Sequence, residues 1–206
     1  MTSFARLERS ALCQTARDVG PDAPTLCAGW NVGDLILHLL VRERRPWATL
    51  GAVVPALEGL SRQARESYES HSFDELLDML VAPPLVLRPE LAERLVNGVE
   101  FFVHHEDIRR AQPGWTPRTV PADGAADIWV GLSLLGRMVG RRVGVPLEVT
   151  DGHRRKTLYD GPDPVVLTAP VSELLLFLTG RSEVTDLQWS GPPEKVEAVK
   201  TAKLNV

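Results

Sequence analysis

Apolar residues recur at helical spacing along the first two thirds of this chain, and at strand-like spacing only afterwards. Between residues 3 and 18, Phe4, Leu7, Ala11 and Leu12 mark one face of a helix. The turn-rich stretch GPDAPTLCAGWN (20–31) separates it from a second helix, Val32–Arg44, which stops before Pro46. Asn31, with Asp34 three residues on, reads as an N-cap and its partner. Shorter helices are predicted within 46–88, including Leu57–Tyr68 and Phe73–Val81, and PPLVLRP resets the chain before a long helix over roughly Glu90–Ala111. A second breaker, QPGWTPRTVPADG, precedes a helix over roughly Ala122–Val143.

From Gly144 the texture changes. VPLEV, KTLYD and VVLTA read as short strands, with Thr150-Asp151-Gly152 where a hairpin turn belongs. VSELLLFLTG is a helix closed by Gly180, DLQWS a last strand, and Glu194–Lys203 a terminal helix. The predicted class is α+β, with a helical bundle over 1–143 and a small α/β domain over 144–206.

Composition narrows the function classes. The 206 residues are 44% hydrophobic and 24% charged, as in an ordinary globular protein. A net charge of −4 supplies no basic field, so neither nucleic acid nor an acidic membrane is an expected partner. The opening MTSFARLERSALCQ carries charges throughout and is not a secretory signal, and no run approaches the ~20 apolar residues of a membrane span. Cys13 and Cys27 are the only cysteines and form no C-x-x-C pair, so a cytoplasmic protein without disulfides or a cysteine-rich zinc site is expected.

The candidate chemistry lies in VEFFVHHEDIRRAQ (99–112). With about 100° per residue and Glu100 at 0°, His104 falls near +40° and Asp107 near −20°, in the middle of the apolar arc. His105, Glu106 and Arg109 fall on the opposite face, predicted to be wet. Burying a carboxylate without partners costs several kcal/mol, so Glu100 calls for a metal, a histidine or a facing arginine. HEDIR lacks the second histidine of H-E-x-x-H and is no zinc-protease signature. In the second helix His38 interrupts the apolar run DLILHLLVRE, with Asp34 one turn before it and Arg42 one turn after. Asp34 is expected to orient the His38 imidazole, or else to serve the helix N-terminus. Together His38, Glu100 and His104 form a His₂Glu set, whose open fourth position suits a catalytic metal.

PTLCAGWNVGDLILHLLVRERRP (24–46) and EFFVHHEDIRRAQPGW (100–115) closely resemble the mycothiol-dependent maleylpyruvate isomerase-like family. The first carries its W-x-V-x-D-L-x-x-H element as Trp30, Val32, Asp34, Leu35 and His38, the second its E-x-x-x-H element as Glu100 and His104. The resemblance implies a DinB-type four-helix bundle in which His38, Glu100 and His104 bind a divalent metal, usually Zn²⁺. It also implies mycothiol as a thiol cosubstrate, which adds to an activated double bond, allows rotation and is eliminated, or attacks an electrophile and stays attached. ELLLFLTGR matches an element of the accompanying C-terminal domain, so Arg181 inherits a role in binding substrate carboxylate. Arg42 is the candidate for the same role within the bundle. VRERRP points to a subgroup described as metal-binding proteins.

The expected function is therefore a metal-dependent, thiol-using isomerase or S-transferase acting on a small electrophile. The alternatives are a non-catalytic metal- or ligand-binding protein, and a metal-dependent hydrolase with Asp107 as general base. Cys27 is a possible competitor for the metal, or a small buried residue.

Overall fold

The computed structural model describes residues 3–45, 58–82 and 97–204. It is a mixed α+β protein whose chain divides into two compact units, residues 1–90 with 100–116 and residues 91–99 with 117–206. No described helix is long and apolar enough to cross a membrane.

The first unit holds helices α1 (Phe4–Val19), α2 (Val32–Arg44), α3 (Glu58–Glu66), α4 (Phe73–Val81) and most of α5 (Gly98–Arg110). The boundaries of α2 and α4 coincide with those predicted; PPLVLRP and the first part of the long helix lie outside the described residues. Helix α2 begins at a capping box, in which Asn31 Oδ1 accepts from Asp34 N and Asp34 Oδ2 from Asn31 N. Its Leu35, Ile36, Leu39 and Leu40 are fully buried against α1, α4 and α5. Each such side chain contributes about 1.5–3 kcal/mol by leaving water.

Helix α1 departs from its predicted face. Leu7 is 49% exposed, whereas Glu8 and Arg9 are buried. Arg9 makes a bidentate pair with Glu43 of α2, donates to Leu80 O at 2.8 Å and lies 4.4 Å from the Phe101 ring centroid. The apolar repeat could not reveal this, because the charges on α1 find their partners on helices distant in sequence.

The second unit contains α6 (Ala122–Val143), β1 (Leu147–Thr150), β2 (Arg155–Tyr159), β3 (Val165–Thr168), α7 (Val171–Leu178), β4 (Gln188–Ser190) and α8 (Pro193–Thr201). The sheet order is β2-β1-β3-β4, with β1 parallel to β3 and antiparallel to β2. The Thr150-Asp151-Gly152 turn joins β1 to β2 with Thr150 opposite Arg155. Helix α6, expected within the bundle over 1–143, packs on α7 and β2. Its Gly136 and Gly140 permit that approach: a Cβ at Gly140 would come within 2.6 Å of Leu158 O. Helical periodicity marks the helix but not the core it joins.

Candidate metal centre

Helix α2 presents His38 one turn before Arg42, and α5 presents Glu100 and His104 one turn apart. The three predicted ligands converge: Glu100 Oε1 lies 3.8 Å from His38 Nε2 and 3.4 Å from His104 Nε2. The donor atoms of all three residues fall within 4.8 Å of one another. A tetrahedral zinc with ligands at about 2.0–2.2 Å separates its donors by roughly 3.3–3.5 Å, so the set fits such an ion after small side-chain shifts. The Glu100 and His38 side chains retain 28% and 29% of their exposure, which leaves the donors reachable from solvent.

Electrostatics bind the cluster together without an ion. Arg42 Nε stands 3.1 Å from Glu100 Oε1. Burial pushes the Glu100 pKa up, but hydrogen bonds from His104 and His38 and the charge of Arg42 outweigh it and hold the carboxyl well below the usual range. For His104 burial favours the neutral ring, yet the Asp107 hydrogen bond, then Cys27 and Glu100, raise its pKa well above the ordinary histidine value.

The far edge of the His104 ring is equally engaged. Its Nδ1 lies 2.9 Å from Asp107 Oδ2, and Asp107 is fully buried. This arrangement leaves Nε2 facing Glu100 and fixes the ring, as a carboxylate behind a metal-bound histidine does. Asp107, the general-base candidate of the hydrolase alternative, places its carboxylate against His104 and against Cys27 Sγ at 3.2 Å. The i, i+3 spacing from His104 was the available signal. Asp34, expected either behind His38 or at the helix N-terminus, accepts from Asn31 N in the capping box. Beside His38 stands Trp30, with ring centroids 5.0 Å apart, a contact that the sequence reading missed.

His105 and Glu106 overturn the predicted wet face. His105 is buried, with Nδ1 3.1 Å from Glu8 Oε2 and Nε2 2.9 Å from Thr15 Oγ1. Glu106 accepts from Arg109 Nη1 and Arg110 Nε, both at 2.7 Å. Angular phasing separates two sides of a helix, but α5 is enclosed on both.

Arg181 lies in the second unit. Gly180, at φ +86°, turns the chain out of α7, and Arg181 Nη1 donates to Thr179 O at 2.7 Å. With Phe177, Trp189 and Lys200 it lines a cavity of about 450 Å³.

Neither a sequence-family model nor a curated protein sequence matches the chain. Two solved structures do. One is the mycothiol-dependent maleylpyruvate isomerase, 18% identical, with a TM-score of 0.56. The other is a mutant of that isomerase, 16% identical, with a TM-score of 0.59. Each match covers 92% of this chain and 96% of the other. At that identity the likeness is one of fold: this chain has the fold of the mycothiol-dependent maleylpyruvate isomerase.

Proposed function

We propose that the chain is a metal-dependent enzyme that uses a low-molecular-weight thiol of the mycothiol type, as an isomerase or S-transferase acting on a small electrophile. The observation that carries this reading is the convergence of His38 Nε2, Glu100 Oε1 and His104 Nε2 on one partly open point. Three ligands leave one position for an exchangeable partner, as in catalytic rather than structural zinc sites. A zinc ion held there would lower the pKa of an incoming thiol and supply it as thiolate at neutral pH.

The chain's own residues have separable tasks in this proposal. Asp107 holds the proton on His104 Nδ1 and so keeps Nε2 aimed at the centre. Arg42, beside Glu100, is a positive clamp for a substrate carboxylate within the first unit. Trp30 covers one side of His38 and presents an apolar wall. The hydrolase alternative has less support, because Asp107 is fully buried with both His104 and Cys27 on its carboxylate and is poorly placed to activate water.

The test is metal analysis followed by thiol titration of the cobalt-substituted protein. The expected results are about one metal per chain and a sulfur-to-cobalt charge-transfer band on adding mycothiol or a cysteinyl analogue. Both should be lost in His104→Ala. Metal binding without a band for any thiol would turn the reading to a non-catalytic metal-binding protein.

A further inference from the structure

The loop between α1 and α2 grips both histidines of the candidate centre. Thr25 Oγ1 accepts from Cys27 N at 3.1 Å and donates to Trp30 O at 2.8 Å, closing the loop on itself. Leu26 N donates to Asp107 O at 3.0 Å, pinning the loop to α5 through the backbone. From this fixed platform two side chains reach the centre. The Trp30 ring packs on His38, and Cys27 Sγ stands 3.2 Å from the Asp107 oxygen that also holds His104 Nδ1.

We propose that Cys27 is a positioning residue for His104, acting through Asp107. Its S–H donates to Asp107 Oδ2, the same oxygen that holds His104 Nδ1. The thiol helps to hold the carboxylate in the orientation in which the imidazole directs Nε2 toward Glu100 and His38. The inference rests on the proposed metal centre.

Cys27, His104 and Asp107 also place their donor atoms within 4.8 Å of one another, so ligation by Cys27 has to be weighed against positioning. Geometry favours positioning. Cys27 Sγ lies 3.9 Å from His104 Nδ1, on the ring edge remote from Glu100, whereas the His₂Glu set uses Nε2. Ligation through Nδ1 would also break the hydrogen bond to Asp107. The thiol therefore addresses the centre from behind the ring.

The experiment compares cobalt and zinc affinities of wild type, Cys27→Ala, Cys27→Ser, Asp107→Asn and the Cys27→Ala/Asp107→Asn double variant, with circular dichroism to confirm folding. Cys27→Ala should weaken metal binding about tenfold or more, the range typical of lost support behind a metal ligand. Cys27→Ser, which keeps a donor, should recover most of that loss. In the Asp107→Asn background Cys27→Ala should add nothing, since its effect passes through Asp107. Wild-type cobalt protein without added thiol should show no sulfur charge-transfer band. A band that disappears in Cys27→Ser would make Cys27 a ligand and overturn the proposal, as would unchanged affinity in Cys27→Ala or additive losses in the double variant. If wild type binds no metal, the metal reading itself fails, and the metal-free ¹⁵N resonance of His104 Nδ1 decides separately. It should move in Cys27→Ala and return in Cys27→Ser; a resonance indifferent to both variants sinks the positioning role.

Discussion

Metal affinity should climb with pH, and the charge states in the centre set the slope. In the metal-free protein burial opposes a charge on His104, but the hydrogen bond to Asp107 leads the effects that raise its pKa well above the ordinary value. Glu100, held well below the carboxylate range, has no proton to give. An ion entering between Glu100 and His104 Nε2 therefore displaces at least the His104 proton. One proton per ion makes the affinity about tenfold stronger per pH unit, or about 1.4 kcal/mol, up to the His104 pKa. The effect on metal-free stability has the opposite sign. A raised histidine pKa contributes stability that is fully present below the unfolded value of about 6.5 and is lost as pH rises through the folded value. Zinc should thus widen its thermal shift as pH rises. Competition against a chromophoric chelator from about pH 6 to about pH 7 gives the slope, and titration calorimetry in two buffers of different ionisation enthalpy counts the protons. A flat affinity over that interval, with no proton released, would refute the imidazolium–carboxylate reading of the pair.

Three further outcomes test the packing around the centre. Arg9→Met leaves Glu43 buried without its bidentate partner and should cost about 3–5 kcal/mol in chemical denaturation; Arg9→Met/Glu43→Leu should recover most of it, and equal losses in both would contradict a desolvated pair. His105→Ala should leave metal content intact but lower stability by about 1–3 kcal/mol through the contacts with Glu8 and Thr15, whereas His104→Ala should lose the metal; metal loss in both would show that the two histidines have been assigned to the wrong sides of α5. Burial pushes the Cys13 thiol up to about 12, so iodoacetamide at about pH 8 should spare Cys13 in the native protein and alkylate it after unfolding, as read by peptide mass spectrometry. Modification of Cys13 at a comparable rate would mean that α1 is not packed as described.

Local chemistry made much of this molecule legible. The ends of α2, α4 and α6 follow from caps, prolines and apolar period, and the His₂Glu set follows from one i, i+4 pair and one histidine in an otherwise apolar helix. What stayed hidden depends on partners far along the chain. Leu7 matches the apolar repeat yet is exposed, and the partners that bury Glu8 and Arg9, His105 and Glu43, stand 97 and 34 residues on. Likewise nothing in Ala122–Val143 states that its glycines face β2, and nothing near Asp107 states that a cysteine comes to meet it. Charge compensation across elements is a tertiary fact, and single-helix phasing assigns such residues to solvent by default.

The Arg9–Glu43 pair also has a historical consequence. Losing either member first takes the bidentate partner from a buried charge, so the paths by which positions 9 and 43 diverge in descendants of this chain run through a destabilised ancestor or a simultaneous double change. The two sites are then inherited as a block, although 34 residues separate them. Because the same helix carries Glu43 and the candidate ligand His38, that block fastens the position of His38 to a residue in the first helix.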